Sequence, residues 1–362
     1  MAEDVHSISS YGNDDKSALQ AKFEAQKIAF APIMFKAALS LKNLGILNII
    51  QDNRKHGITT KEISKTLKLS NYGVKVLLEA GLSLEIVYLK NNKFFLTKTG
   101  WFLINDKLTE VNINFTNDVN YLGFDKLEES VLSGKPKGLE VFGNWETIYE
   151  GLSQLPEKAK KSWFEFDQYY SDAAFPTVLP IILKNNPKKG LDIGGNTGKF
   201  SIKCVKKNPN LEMTILDLPG QITAAQKNIS NKGLSDKIKL ISINLSNHSI
   251  PYPGKYDFIW MSQFLDCFSQ KDIIKLLERS KKALNSDGSI FILETYWDDQ
   301  IYPASTYSLH ATSLYFTCMA NGNSQMYHHN DMLKLIKKSG LKVTEEYKNI
   351  GVGHTLYKCN PV

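Results

Sequence analysis

Hydrophobic positions along the chain follow two different periods. Up to about residue 175 apolar side chains recur mostly at helical spacing, and beyond residue 189 short apolar runs alternate with helical stretches. Residues 20–50 are apolar at nearly every helical position, so the helix that they predict is buried on more than one side. In so small a domain, that burial calls for a partner subunit.

Residues 57–103 have the pattern of a winged helix. Thr59 and Glu62 form a capping box for a short helix that ends at Leu67, and Ser70 caps a second apolar helix. Two apolar runs then flank Asn91-Asn92, which predicts a hairpin wing.

The rest of the chain predicts helices followed by an α/β domain. Residues 110–175 are helical, rich in aromatic side chains and interrupted at 134–138. From Lys189 onward, the alternation of strands and helices implies a parallel sheet with helices on both faces, which binds ligands beyond the carboxyl ends of its strands. The predicted strands are 190–194, 213–218, 238–245, 256–264 and 289–294, and the helices between them are 199–207, 221–230 and 272–284.

Composition and charge exclude several classes of protein. The chain has 362 residues, is 42% hydrophobic and carries a net charge of +7, so it can fill a core. Only Arg54 and Arg279 among its 44 basic residues are arginines, the side chain that reads base edges best. The second helix of the winged-helix region carries Lys75 against Glu79 and Glu85, so we expect no nucleic-acid partner.

The sequence predicts no targeting segment, and together with the cysteine pattern this favours a cytoplasmic protein. No run of 18 apolar residues predicts a membrane span, and the polar first 16 residues do not resemble a signal peptide. The four cysteines are scattered without a CxxC pair, so we expect reduced thiols and no structural zinc site. No group of His, Asp and Glu has the spacing of metal ligands, so no metal is expected.

The strongest motif is a glycine loop at the end of the first predicted strand. It comprises Asp192, Gly194, Gly195, Asn196 and Gly198, and glycines there let a ligand approach the backbone closely. Asp217, at the end of the second strand, is placed to bind the hydroxyls of a ribose. An acid that opens the loop would repel a diphosphate but can meet a cationic amino group. The order Asp-x-Gly-Gly-x-x-Gly resembles the glycine loop of class I methyltransferases, which implies S-adenosylmethionine (SAM) as the nucleoside cofactor.

From about residue 25 to 359 the chain resembles the plant-type and bacterial small-molecule O-methyltransferases of the class I SAM-dependent enzymes. The resemblance rests on LDIGGNTGKF (191–200), TILDLP (214–219), YDFIWMSQFLDCFS (256–269) and SDGSIFILET (286–295). It implies an α/β fold in which a Rossmann-like SAM-binding domain is preceded by an α-rich winged-helix dimerisation domain. The predicted boundaries are a frayed start at 1–19, the dimerisation domain at 20–110, a helical connection lining the acceptor pocket at 111–175 and the methyltransferase domain at 176–362.

The resemblance also assigns a cofactor site. It places the opening acid of the loop near the methionine end of SAM and Asp217 at the ribose. Asn244 falls where the family usually has an Asp near the adenine, and its carbonyl can accept from the adenine amino group. The remaining cofactor positions that it implies are Leu218, Leu245 and Ser262.

The catalytic signature differs from the family pattern. Asp266 stands where the family has a His that deprotonates a phenol, whereas Glu294 matches the family's supporting Glu. An ordinary Asp, with a pKa of about 3.9, is a weak base for a phenol of about 10, although burial and Glu294 would raise that pKa. His310 is a second candidate, on a helix expected to line the acceptor pocket, and the pair His328-His329 is a weaker one.

We therefore expect a homodimeric SAM-dependent methyltransferase whose acceptor is a small, aromatic or phenolic metabolite, with transfer to oxygen favoured. The alternatives are methylation of carbon, methylation of a carboxylate and a use of SAM other than methyl transfer. A remote alternative is a winged-helix DNA-binding regulator with a ligand-sensing SAM domain.

Overall fold

The computed structural model describes residues 11–362, and their contacts divide them into two units. The first unit ends at Asn114 and the second runs from Phe115 to Val362. Residues 1–10, where most of the predicted frayed start falls, lie outside the described residues. Ser17 caps the first helix through a capping box with Gln20.

The first unit has the elements of the predicted winged helix. Thr59 and Glu62 form both hydrogen bonds of the capping box, and the Ser70 side chain accepts a hydrogen bond from the backbone of Gly73. Asn91 and Asn92 have positive φ angles of 50° and 62°, which is the backbone of the tight hairpin turn. The elements are α1 (Ala18–Asn43), α2 (Ile46–Asp52), α3 (Thr60–Leu67), α4 (Asn71–Ser83), β1 (Val87–Lys90), β2 (Lys93–Leu96), α5 (Lys98–Asn105) and α6 (Lys107–Phe115), the last of which reaches the start of the second unit.

The long helix α1 is more exposed than its composition predicts. Phe23, Ile28 and Ile33 are 55%, 76% and 66% exposed, and Leu41 is the one buried residue of the helix. In the chain by itself the helix is therefore not buried on more than one side, and burial of its apolar face against a partner subunit stays a prediction. No single helix among residues 11–362 is long and apolar enough to cross a membrane, and α1 and α2, bent by 55°, meet that test only as a pair.

The second unit is built on a seven-stranded sheet in the order β5-β4-β3-β6-β7-β9-β8. The first five strands in that order are parallel, and β9 pairs antiparallel with both β7 and β8. Its helices are α7 (Leu127–Ser133), α8 (Ile148–Gly151), α9 (Glu157–Asp172), α10 (Phe175–Ile182), α11 (Lys199–Lys207), α12 (Pro219–Ser230), α13 (Gln270–Lys282), α14 (Pro303–Tyr315) and α15 (His329–Lys338). Its strands are β3 (Lys189–Ile193), β4 (Glu212–Asp217), β5 (Ile238–Ser242), β6 (Tyr256–Ser262), β7 (Leu284–Glu294), β8 (Leu341–Ile350) and β9 (His354–Pro361).

The sheet confirms the predicted α/β class and differs from prediction at its edges. Strand β5 ends at Ser242, so Asn244 and Leu245 lie in the turn that follows it. The antiparallel strands β8 and β9 make the sheet mixed, because a tight turn at Gly351–Gly353 returns the chain beside its predecessor. All four cysteines are free, as expected.

Apolar residues cover both faces of the sheet and leave the carboxyl ends of its strands open. One cluster packs α13 and α15 on one face, and a second packs α10, α11 and α12 on the other. A third cluster, rich in aromatic side chains, joins the helical segment 115–166 to α14. The region predicted to line an acceptor pocket therefore packs with the methyltransferase domain from Phe115 onward.

Candidate active site

A cavity of about 780 Å³ lies beyond the carboxyl ends of the parallel strands. Residues directly after β3, β4 and β6 form one wall: Gly194, Leu218 and Gln263. Helices α9 and α14 and the segment 135–152 form much of the remainder. This volume falls within the roughly 300–1,000 Å³ that is usual for small-molecule sites.

The glycine loop meets the cavity through Gly194 and Asn196. Gly194 has a φ angle of 72°, and a Cβ atom added there would lie 2.4 Å from the ring of Phe264, so no larger residue fits. Asn196 has a φ angle of 47°, and its backbone nitrogen donates a 2.7 Å hydrogen bond to Asp217 Oδ2. The loop is thus drawn tightly toward the acid at the end of β4.

Asp217 lines the cavity with a constrained carboxylate. Its Oδ1 atom accepts a 2.7 Å hydrogen bond from the backbone nitrogen of Leu218. Burial raises the pKa of Asp217 to about 6, against the opposing effect of these backbone donors. The carboxylate is therefore fixed in orientation and keeps lone pairs for hydroxyl donors, as a ribose ligand requires.

The other predicted cofactor residues divide into two groups. Asn244 and Leu245 line the cavity, with Asn244 Oδ1 accepting a hydrogen bond from the backbone of Ser246. Gly195, Gly198 and Ser262 support the loop and strand from outside the cavity lining.

Asp192 also lies outside that lining. It is 2% exposed, and its Oδ2 atom accepts a 2.7 Å hydrogen bond from Ser201 Oγ in α11. Burial raises the pKa of Asp192 to about 7. The acid that opens the loop thus braces the loop from beneath, instead of facing the cavity as its motif position predicts.

Asp266 is a buried acid that lines the cavity. It is 5% exposed and stands in a short 3-10 turn, Leu265–Cys267, just after β6. The Cys267 thiol donates to Asp266 Oδ1 over 3.4 Å. Burial, reinforced by the negative charge of Asp167, raises the pKa of Asp266 to about 7.

Glu294 lies behind Asp266 at the end of β7, outside the cavity lining. Its Oε1 atom accepts hydrogen bonds from the backbone nitrogens of Phe264 (3.0 Å) and Leu265 (2.8 Å), which fixes the turn that carries Asp266. Its Oε2 atom is buried without a hydrogen-bond partner. Burial and the repulsion of Asp266 raise the pKa of Glu294 well above its usual range.

Comparison with protein families agrees with this architecture. Residues 22–94 match the Dimerisation2-like domain, and residues 126–342 match the O-methyltransferase domain. The chain belongs to the O-methyltransferase domain family. It is therefore a SAM-dependent methyltransferase, and the expected winged-helix dimerisation domain and Rossmann-like domain are confirmed.

Relatives of this methyltransferase act at different atoms. It is 23% identical to the L-tyrosine C(3)-methyltransferase of Streptomyces lavendulae over 277 residues, which is 75% of this chain and 74% of that protein. The apo structure of the SAM-dependent methyltransferase SibL superposes with a TM-score of 0.69 at 18% identity, covering 93% of this chain and 98% of that one. The O-methyltransferase NcsB1, solved with S-adenosylhomocysteine and 1,4-dihydroxy-2-naphthoic acid, gives a TM-score of 0.66 at 16% identity and covers 92% and 96%.

The candidate histidine of the methyltransferase lies away from the cavity. His310 is exposed on α14, outside the cavity lining, and its ring lies 4.9 Å from that of Trp297. The position of α14 was anticipated, but the side of the helix that carries His310 depends on packing that local periodicity does not define.

His328 and His329 form a cluster with Asp298 that also lies outside the cavity lining. His328 Nε2 lies 3.0 Å from Asp298 Oδ2, and His329 Nδ1 bonds the same oxygen. Among residues 11–362 this is a grouping close enough to hold a metal ion, which sequence spacing did not reveal. However, His328 Nδ1 accepts from the backbone of Asn330, so Nε2 carries the proton and donates to Asp298.

Sequence reasoning missed two polar residues of the cavity. Asp167 projects from α9, and Tyr149 projects from α8 with a buried hydroxyl that has no hydrogen-bond partner. The aromatic content of residues 110–175 was noted, and Trp145, Trp163 and Phe166 from that region do line the cavity. Tyr315 at the end of α14 and Phe316 after it also line the cavity. Nothing in the local sequence distinguishes Asp167 from the exposed acids around it, because its exposure is decided by the packing of α9 against the glycine loop.

Proposed function

We propose that this protein transfers a methyl group from SAM to a phenolic oxygen of a small aromatic metabolite, with Asp266 as the general base. The observation that carries the proposal is a buried carboxyl group, with a pKa raised to about 7, in the wall of a cavity that aromatic side chains also line. A base with a pKa near the working pH is the one best suited to proton transfer.

Glu294 supports this role by keeping Asp266 in place and in the correct protonation state. Burial and the proximity of the two carboxyl groups raise the pKa of both, so we propose that the pair shares one proton and that Asp266 is the reactive carboxylate. The backbone bonds of Glu294 to the turn hold the Asp266 carboxylate at one position. Glu294 is therefore proposed as a positioning residue, and His310 is not part of the proposed mechanism.

The aromatic wall selects and orients the acceptor. Phe115 stacks on Phe166 with ring centroids 4.0 Å apart, and Tyr315 accepts a 2.8 Å hydrogen bond from Trp163 Nε1. Such a rigid apolar surface favours a flat ring and excludes water from the reacting atoms. Tyr149 also lines this cavity, and we propose that its buried hydroxyl donates to an oxygen of the acceptor.

The cavity residues fit SAM, which supplies an electrophilic methyl group when bound. We propose that Gly194 and Asn196 follow the methionine end, Asp217 and Leu218 hold the ribose, and Asn244 with Leu245 lies at the adenine. The unpartnered, buried Oδ1 atom of Asn196 supports this assignment, because a buried acceptor without a donor is costly until a ligand supplies one.

Methylation of a ring carbon is the second candidate, and the name of the Streptomyces lavendulae relative favours it. The same base serves that reaction, because removing the phenolic proton activates the ring carbon beside the oxygen. Methylation of a carboxylate is disfavoured, since the buried charged side chains that line the cavity, Asp217 and Asp266, are acids that would repel an anionic acceptor.

The Dimerisation2-like match and the exposed apolar face of α1 support a homodimer. Four free cysteines favour a reducing compartment, so we place the activity in the cytoplasm. Light scattering after size-exclusion chromatography would give about twice the chain mass of 40.8 kDa for a dimer. A monomer at micromolar concentration would contradict this assignment.

A panel of phenols, naphthols and tyrosine derivatives, each incubated with SAM and the purified protein, tests the proposed reaction. Mass spectrometry detects the added methyl group, and NMR of the product identifies the methylated atom. Methylation of a phenolic oxygen is the expected result. Methylation confined to benzoic or naphthoic carboxylates would refute the proposal.

A further inference from the structure

The methionine end of SAM carries an ammonium group, but the loop acid expected to bind it, Asp192, does not line the cavity. Asp192 is nearly fully buried beneath the loop, is hydrogen-bonded to Ser201 and lies outside the cavity lining. Its Cγ and Oδ2 atoms lie so close to Gly195 that a Cβ atom there would be 2.9–3.0 Å from them. Another residue must therefore supply the negative charge that binds a cation in the cavity.

Asp167 supplies a carboxylate on the opposite side of the loop. It comes from α9, lines the cavity beside Asn196 and accepts a 2.8 Å hydrogen bond from Asn196 Nδ2 at its Oδ2 atom. The neighbouring cation, Lys199, is bonded to Gln168 (2.9 Å) and Asp172 (2.8 Å). Burial raises the pKa of Asp167 to about 6, as expected for a carboxylate that lacks a full ionic partner.

Asn196 links the two acids that face the cofactor. Its backbone nitrogen bonds Asp217 and its side-chain nitrogen bonds Asp167. With Nδ2 directed at Asp167, the Oδ1 atom is left buried and without a donor. A charged oxygen and a neutral acceptor oxygen thus lie together at the tip of the glycine loop, where a small donor-only cation can satisfy both.

We propose that Asp167, together with Asn196 Oδ1, binds the α-ammonium group of the cofactor. In this arrangement α9 contributes the ionic contact to the methionine end, and the glycine loop contributes the neutral one. The assignment rests on SAM as cofactor and holds whichever atom of the acceptor is methylated.

Binding of two nucleosides tests the assignment without any turnover. S-Adenosylhomocysteine carries the ammonium group but no sulfonium charge, whereas 5′-methylthioadenosine keeps the adenosine and thioether and lacks the amino-acid end. Isothermal titration with Asp167→Asn should show affinity for S-adenosylhomocysteine reduced about 10- to 100-fold, the range for losing a hydrogen bond to a charged group. Affinity for 5′-methylthioadenosine should stay within about twofold, because Asn keeps the bond to Asn196 and loses only the charge.

Two further variants keep the test decisive. Glu157→Gln removes a charge from the same helix, on an exposed side chain that pairs with Lys160 outside the cavity, and should leave both affinities unchanged. Asn196→Gly, which tolerates the positive φ angle, should repeat the selective loss for S-adenosylhomocysteine. Unchanged binding of S-adenosylhomocysteine by Asp167→Asn, or an equal loss for both nucleosides, would overturn the assignment.

Discussion

Replacing Asp266 with Asn removes the proposed proton acceptor and keeps a side chain of nearly the same size. Burial raises the pKa of Asp266 to about 7, which narrows its gap to a phenol of about 10 from roughly six units to roughly three. Three units correspond to about 4 kcal/mol in the free energy of proton transfer. General bases typically contribute 10²- to 10⁴-fold to the rate, so we expect kcat of Asp266→Asn to fall by about that factor.

The pH profile distinguishes loss of a base from a general disturbance of the cavity. An Asp base acts in its ionised form, so the wild-type kcat should rise with pH, pass its midpoint near 7 and level off above it. In Asp266→Asn that midpoint should disappear. Initial rates measured from pH 5.5 to 9 with saturating SAM and the best phenol from the panel supply both profiles.

A matched control is Asp331→Asn, which changes a half-buried acid of α15 that pairs with Lys334 outside the cavity. Its kcat and its pH profile should match those of the wild type. Retention of more than about one third of wild-type kcat by Asp266→Asn, with the midpoint still present, would exclude Asp266 as the base.

Three further predictions concern the surroundings of the base and the loop. Glu294→Gln keeps an acceptor for the backbone nitrogens of Phe264 and Leu265, so its unfolding free energy in urea should stay within about 1 kcal/mol of the wild-type value. Glu294→Ala removes that acceptor and should lower the unfolding free energy by about 2–4 kcal/mol. Equal losses in the two variants would contradict the role of these hydrogen bonds. Gly194→Ala places a Cβ atom 2.4 Å from the Phe264 ring at a positive φ angle, so the glycine loop must shift. Titration should therefore detect no binding of S-adenosylhomocysteine. Near-normal affinity would disprove the close contact between the loop and Phe264. Burial raises the pKa of Asp192 to about 7 in the folded protein, so the wild type loses stability as pH rises from about 4 to 7 and this group ionises. The unfolding free energy of Asp192→Asn, relative to that of the wild type, should therefore increase by about 2–3 kcal/mol between pH 5 and pH 8. A difference that does not change with pH would refute that cause.

Local patterns predicted those parts of the fold that depend on neighbours in sequence. The capping box at Thr59, the hairpin at Asn91-Asn92 and the glycine loop at Gly194 all depend on residues within a few positions of one another. The parallel strands were also predictable, because buried strands between helices read as continuous apolar runs. The direction of β8 and β9 was not, since either strand direction can satisfy an apolar pattern.

The sequence predicted those residues of the site that lie at or just after the ends of strands. Asp217, Asp266 and Asn244 follow strands whose carboxyl ends must share one edge of the sheet, and all three line the cavity. Asp192 also belongs to that edge, but Ser201, nine residues later on α11, holds its carboxylate beneath the loop. Asp167 comes from a helix outside the sheet, so its place in the cavity depends on tertiary packing that no local pattern encodes.

The proposal of Asp266 as the base, at the position where the family resemblance implies a His, can be understood from the charges of the whole cavity. A His base becomes a cation when it takes the phenolic proton, whereas Asp266 becomes neutral. In the proposed reaction SAM loses its sulfonium charge in the same step, so one negative and one positive charge disappear together. A buried site with Asp167 and Asp217 nearby and no buried lysine or arginine along its wall thereby gains no net charge during turnover. On this reasoning Asp266→His should not act as a simple restoration of the family base: Asp167 would hold the imidazole protonated, and the midpoint of the pH profile should move upward from about 7. A variant whose midpoint falls below that of the wild type would show that the acids of this cavity do not govern its base.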